Sequence, residues 1–345
     1  MKNGIVLLFC CFTLSICISC KQSPQTSGNI PVFEKKNTLH RDTIKQEVSI
    51  YMDSLIYTNR IKSLANGDTS GLWPVKLQPL PLKKAILPES RIIAYYGNLY
   101  SKKMGVLGEY TPDKMWKMLQ KEMENWQNAD SITPVIPALH YIAVVAQHTA
   151  GKDGMYRFRM PASQIDSVLR IAEMQPNTLV FLDIQVGLST IQKELPLLEA
   201  YLKLPNVHLG LDPEFSMKDG SQPGRKMGTF DAADINYCSE YLANLVQEFN
   251  LPPKVFVIHR FTKKMLTNYQ NIQLRPEVQI VVNMDGWGAP YLKFATHNRY
   301  IYREPVQFTG FKFFYKNDIK NPPHQFLTPE KVLTLQPQPI YIQYQ

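Results

Sequence analysis

Three scarcities narrow the reading of this 345-residue sequence. Cysteine comes first: there are five, Cys10, Cys11, Cys17, Cys20 and Cys238. Four of them fall within the first twenty residues, so the remaining chain holds Cys238 alone and no disulfide framework. A chain of this length buries enough apolar surface to fold without one. Cys238 sits in a helical pattern and reads as a small core residue. The second scarcity is of glycine-rich and metal-binding motifs. Tyr96-Gly97-Asn98 follows a strand-like run but does not continue as a dinucleotide fingerprint, which argues against a nicotinamide enzyme. No Gly-x-Ser-x-Gly elbow, His-x-His or His-Glu-x-x-His occurs, and the Cys-x-x-Cys spacing is found only at Cys17 and Cys20, in the N-terminal apolar run. The sequence therefore predicts no cofactor and assigns no metal ligand set. The third scarcity is of clustered charge. The net charge is +9, but the basic residues come as isolated pairs such as Lys83-Lys84 and Arg225-Lys226. Nucleic-acid binders concentrate such charge on one face, so no nucleic-acid partner is expected.

The one long apolar run lies at residues 5–18, behind Lys2. At about 14 residues it is too short to cross a bilayer, which takes about 20, and residues 1–19 have the order of a secretory signal. The run closes with Cys17-Ile18-Ser19-Cys20. This resembles a lipobox, with Cys17 where the usual leucine stands. The resemblance implies a bacterial lipoprotein lipidated on Cys20, with the bilayer of the cell envelope as its partner. Acyl chains contribute about 0.8 kcal/mol per buried methylene, enough for durable anchoring when several are present. Residues 20–42 are polar and aperiodic, as in a tether. Residues 43–90 form a lead-in: Ile44, Val48, Tyr51, Leu55 and Ile56 fall near helical spacing, and a Pro- and Gly-rich stretch follows.

From residue 91 the chain alternates between β-rich apolar runs and helical stretches. Strands are predicted at residues 91–96, 136–146, 178–184, 207–211, 254–259, 278–284, 308–315 and 339–344. Helices are predicted at 112–127, 161–174, 191–204 and 231–249, with Thr111 and Pro112 as a start signal. Eight strands alternating with helices over roughly 250 residues predict an α/β fold, a (β/α)8 TIM-barrel-like domain over 91–345. An open doubly wound α/β sheet is the alternative.

In such a barrel the working residues lie at the C-terminal strand ends. Sorted by that rule, the first strand offers Tyr95 and Tyr96, with Glu109 in its loop. The third offers Asp183 and Gln185, and the fourth Asp212-Pro213-Glu214. The fifth ends in His259-Arg260, and the sixth in Asp285-Gly286-Trp287. Very apolar runs precede Asp183 and Asp212, which puts carboxylates at the mouth of a dry core, where desolvation raises a carboxyl pKa. Asp212 and Glu214 are two apart; in extended backbone they point to the same side, about 6–7 Å apart at Cα. Glycoside hydrolysis uses two carboxyls at about 5–10 Å, one to protonate the leaving oxygen and one to attack or activate water. That pattern assigns Glu214 as proton donor and Asp212 or Asp183 as nucleophile or base. Tyr95, Tyr96, Glu109, Gln185, His259, Arg260, Asp285 and Trp287 are assigned to substrate binding. The loop 215–230 is long enough to serve as a lid or binding loop.

Asp-x-Glu at a strand end resembles the acidic motifs of chitinase-like and lysozyme-like barrels. The longer series of segments Tyr95-Tyr96-Gly97, Gly105 to Glu109, Phe181 to Gln185, Gly210 to Glu214, Val257 to Phe261 and Met284-Asp285-Gly286 is similar to a family of secreted bacterial proteins and lipoproteins with a glycoside-hydrolase-like barrel. That resemblance covers residues 91–345 and implies a shared pocket at Glu109, Asp183, Asp212, Glu214, His259 and Asp285. It carries over no reaction. The expected function is hydrolysis of a cell-envelope or extracellular carbohydrate, with peptidoglycan among the ligands. A non-catalytic glycan-binding lipoprotein and a metal-dependent phosphodiester hydrolase are the alternatives. For the last, Asp183, Asp212, Glu214, His259 and Asp285 offer an oxygen-rich set suited to Mg or Ca, with one histidine in it.

Overall fold

A computed structural model describes residues 50–345. The expected signal, the lipidation site Cys20 and the tether lie outside the described residues. No helix among the described residues is long and apolar enough to cross a membrane.

Runs that alternate two apolar faces form strands buried on both sides. Eight do so here: β1 (Arg91–Gly97), β2 (Val135–Ala146), β3 (Leu179–Ile184), β4 (Val207–Leu211), β5 (Lys254–Arg260), β6 (Val278–Met284), β7 (Phe308–Phe313) and β8 (Tyr341–Tyr344). Each pairs in parallel with the next. β8 pairs back onto β1, with Ile92 opposite Tyr341, and closes the sheet. The fold is therefore a closed (β/α)8 barrel and not an open sheet. A short strand, Arg157–Arg159, adds antiparallel to the end of β2.

The outer layer is less regular than the barrel. Helix α1 (Ser54–Leu64) precedes it; α2 (Pro112–Ala129), α3 (Ala162–Ala172), α4 (Ala232–Glu248) and α5 (Pro290–His297) follow β1, β2, β4 and β6. Asp231 and Asp234 form a capping box at the start of α4, which satisfies backbone donors left over at a helix end. Free Cys238 is buried in α4. The single helix expected at 191–204 is instead three short turns, Ile191–Glu194, Leu195–Leu198 and Glu199–Leu202. Pro196 has no N–H to donate, and the backbone tightens into a 3-10 turn there.

Strand alternation sorts side chains between two cores. Ile93, Leu139, Val180, Leu209 and Phe256 face out against the helices. Ile92, Ala94, Ala138, Leu179, Phe181, Val255, Val257, Val281 and Phe308 belong to an inner apolar core. The lead-in joins that inner core: Tyr57, Leu64 and Leu87 are part of it, and Leu87 is fully buried. Gln279 on β6 clamps it there. Its Oε1 accepts from the N–H groups of Ile86 and Leu87, both at 3.0 Å, and its Nε2 donates to the Leu87 carbonyl. Burying a leucine side chain is worth about 1.5–3 kcal/mol, so the lead-in is a working part of the barrel core. Among the described residues, the lead-in and the barrel belong to one compact unit.

Candidate active site

The inward alternation that gives an apolar lower interior gives a polar one nearer the C-terminal strand ends. Tyr96 of β1, His140 of β2, Asp183 of β3, Asp212 after β4, His259 of β5, Asp285 after β6, Lys312 of β7 and Gln343 of β8 are all buried. The Tyr96 hydroxyl donates to Asp183 Oδ2 at 2.9 Å. Gln185 Nε2 donates to Asp212 Oδ2 at 3.0 Å. His259 Nδ1 lies 2.9 Å from Asp285 Oδ2, and Lys312 Nζ lies 2.9 Å from Asp285 Oδ1. Lys312 also stands 4.0 Å over the Tyr96 ring. His140 Nδ1 meets the Tyr341 hydroxyl at 2.6 Å, and Gln343 Nε2 donates to that hydroxyl at 3.0 Å. His140 stacks on Phe181 with centroids 5.2 Å apart.

Three atoms at the centre have no hydrogen-bond partner: His140 Nε2, His259 Nε2 and Asp183 Oδ1. The two nitrogens lie 3.5 and 3.7 Å from that oxygen, too far for good hydrogen bonds. Gly210 of β4 makes room for them. A Cβ there would stand 2.3 Å from His140 Nε2 and 2.6 Å from Asp183 Oδ1.

Electrostatics divide the carboxyl groups. Burial would raise Asp183, but His259, His140 and the Tyr96 hydroxyl hold it down to about 2. Burial would likewise raise Asp285, and Lys312 and His259 outweigh it, so this carboxyl also stays ionised. For Glu214, burial is joined by the negative charges of Asp212 and Asp285, and its carboxyl is pushed up to about 8. Burial likewise lifts Asp212, to about 6, against the pull of His259. Burial depresses His140 to about 4, whereas the charges of Asp183 and Asp285 raise His259 against the effect of its burial. At neutral pH the mouth thus holds a protonated Glu214 beside an ionised Asp285. Two carboxyls with titrations driven apart are the arrangement of an acid and a base.

Asp183, Gln185, Asp212, His259 and Asp285 come together, with Tyr96 over them. Other expectations are corrected. Tyr95 and Arg260 are one residue out of phase with the interior. Tyr95 faces the outer layer, its hydroxyl 3.0 Å from that of Tyr315. Arg260 is a buried tie to Glu304 and to the carbonyls of Tyr300 and Leu266. Glu109 pairs with Lys316 at 2.6 Å on the rim instead. Asp212 and Glu214 are not an extended pair. Pro213–Phe215 is a 3-10 turn, and Asp212 Oδ1 caps it by accepting from Glu214 N–H at 3.1 Å. The 215–230 loop folds back over that turn, Gly228 N–H donating to the Glu214 carbonyl at 2.7 Å. A side chain at Gly228 would strike that backbone. Trp287 is 51 % exposed beside Asp285.

The sequence reading overlooked His140 and Lys312 as site residues. His140 lies in mid-strand, away from the strand ends at which candidates were sought; the structure makes it the second histidine of the cluster. The signal was present in both: a single polar residue on the inward phase of an otherwise apolar strand. The chain matches no protein-family model and no curated protein.

Proposed function

We propose that the protein is a lipid-anchored envelope lipoprotein whose barrel mouth hydrolyses a carbohydrate by paired-carboxylate chemistry. The observation supporting this is the division of the mouth carboxyls, Glu214 pushed up to about 8 and Asp285 held ionised by Lys312 and His259. In this reading Glu214 protonates the leaving glycosidic oxygen. Asp285 takes the proton of the attacking water, a role that the sequence pattern gave to Asp212 or Asp183. Asp183 lies deeper, fully buried beneath the Tyr96 hydroxyl. Gln185 and Asp212 orient hydroxyls, and exposed Trp287 offers an aromatic face to a pyranose ring. Lipidation at Cys20 would hold the barrel at the membrane, near envelope glycans.

The test is release of reducing ends from peptidoglycan and extracellular polysaccharides. Wild-type protein should cleave one of them, and Glu214→Gln should lower the rate by about 10²–10⁴-fold, the usual contribution of a general acid. Cleavage unaffected by Glu214→Gln, or no cleavage at all, rejects the reading. Tight glycan binding without release replaces it with the non-catalytic binder. A second reading, a metal-dependent phosphodiester hydrolase, is favoured by one separate observation, the three unpartnered ligand atoms around Asp183.

A further inference from the structure

The lower part of the polar layer contains a feature that acid–base chemistry at Glu214 and Asp285 does not use. His140 Nε2, Asp183 Oδ1 and His259 Nε2 come from three different strands and converge. All three residues are fully buried, and none of these atoms has a hydrogen-bond partner. Leaving a buried polar atom unpaired is destabilising, and three in one place is a large deficit for a barrel interior. With the ring proton on Nδ1, each imidazole Nε2 offers a lone pair, as Asp183 Oδ1 does, and none of the three has a hydrogen-bond partner.

We infer that these three atoms form a binding site for a single first-row divalent transition ion, of the two-histidine, one-carboxylate type. The spacing suits one. Bonds of about 2.0–2.1 Å place tetrahedral ligands about 3.4 Å apart. The two nitrogens stand 3.5 and 3.7 Å from the oxygen, and all three atoms lie within 4.8 Å of one another.

The surroundings are those of a ligand set. Metal-binding imidazoles are aimed by a partner on the other ring nitrogen, often a carboxylate. His259 Nδ1 is held by Asp285 Oδ2 at 2.9 Å, which leaves Nε2 turned toward Asp183. His140 Nδ1 is held at 2.6 Å by the Tyr341 hydroxyl, itself fixed by Gln343. The second oxygen of Asp183 is fixed by Tyr96 at 2.9 Å. Gly210 keeps the space beside two of the three ligand atoms free of a side chain. Charge favours a cation as well: Asp183, Asp212 and Asp285 are buried around the site, and of the nearby buried ammoniums Lys312 is paired with Asp285 and Lys293 with Asp318. Two imidazoles with one carboxylate select zinc, manganese or ferrous iron over magnesium or calcium, which prefer oxygen throughout. Three protein ligands leave coordination positions open for water or a substrate oxygen.

The site stands independently of which bond the mouth cleaves, so its test needs no substrate. Full-length protein is stripped with chelator, loaded with Zn²⁺ or Co²⁺, dialysed at neutral pH, and assayed for bound metal and for Co²⁺ visible absorption. About one equivalent per chain is expected, with the intense bands of a low-symmetry cobalt site. His140→Ala and His259→Ala should lose the metal. His208→Ala should keep it, because His208 is engaged with the Val255 N–H instead. Tyr341→Phe retains the ring and removes only the hydroxyl that aims His140; it should weaken binding about 10–100-fold. Should the alanine variants fail to fold, wild-type stoichiometry and Tyr341→Phe decide. Wild-type protein that retains no metal overturns the inference, as does unchanged affinity in Tyr341→Phe and the histidine variants.

Discussion

The two ends of the barrel interior are built on one backbone rule and filled in opposite ways. Toward the N-terminal strand ends, inward positions carry Ile92, Ala94, Ala138, Leu179, Val255, Val257, Val281 and Phe308, and the lead-in seals them with Tyr57, Leu64 and Leu87. One or two inward steps further along the same strands stand Tyr96, His140, Asp183, Asp212, His259, Asp285 and Lys312. The lower end gains stability from apolar burial. The upper end spends some of it on buried charges and three unpaired atoms, a cost that structural packing alone would not select. Apolar burial and buried polar groups are thus segregated along the barrel axis, as in barrels that place their active sites at the C-terminal face.

That contrast can be broken most forcefully from below. Leu87→Ala empties a fully buried position in the seal and should destabilise the protein by about 2–5 kcal/mol, read from denaturant midpoints. At the other end, Glu214→Gln should shift stability at pH 5 by less than about 1 kcal/mol, although it removes the carboxyl proposed as proton donor. Comparable losses in the two variants would contradict the division of labour. Gln279→Leu, which strips the lead-in backbone of its clamp, should cost about 1–3 kcal/mol by leaving buried N–H groups unpaired. Gly210→Ala tests the space in the upper layer. Its Cβ would press on His140 and Asp183, and a cost of about 1–3 kcal/mol from overpacking is expected. An unchanged melting temperature would show that the layer is looser than described.

The remaining test is a pH dependence. The Glu214 carboxyl is raised in the folded state from 4.5 to about 8. Its stabilising contribution is therefore complete below about pH 4.5 and disappears as pH rises through about 8. Glu214→Gln has no such loss, so its stability relative to wild type should increase across that window. A constant difference between the two would show that Glu214 titrates normally.

The barrel was legible because each strand is a bounded apolar run and the intervening segments have helical spacing. Predicted and observed strand limits differ by at most two residues, both near the C-terminus, at Phe313 and Tyr341. The site was less legible, for a reason of phase. Choosing residues because they end a strand admits both faces, so Tyr95 and Arg260 were collected with Tyr96 and His259. Following the inward phase back from Asp183 and Asp212 would have excluded the first two, and the same phase counting picks out His140 and Lys312. What phase could not supply is the 3-10 turn at Pro213–Phe215, where local capping by Asp212 overrides the extended geometry expected of strand-end residues. Nor does sequence show the unpaired state of His140 Nε2, His259 Nε2 and Asp183 Oδ1, which depends on strands far apart in the chain meeting across the barrel.

The central claim is that the barrel mouth is electrostatically prepared for acid–base chemistry. The most direct test is the titration of the Glu214 side chain in the full-length protein, followed by carboxyl-carbon NMR and assigned by its absence in Glu214→Gln. The account predicts a midpoint near pH 8, with Asp285 still ionised through the same range. A Glu214 midpoint near its ordinary 4.5 would contradict it, because the mouth would then hold no proton to donate at neutral pH.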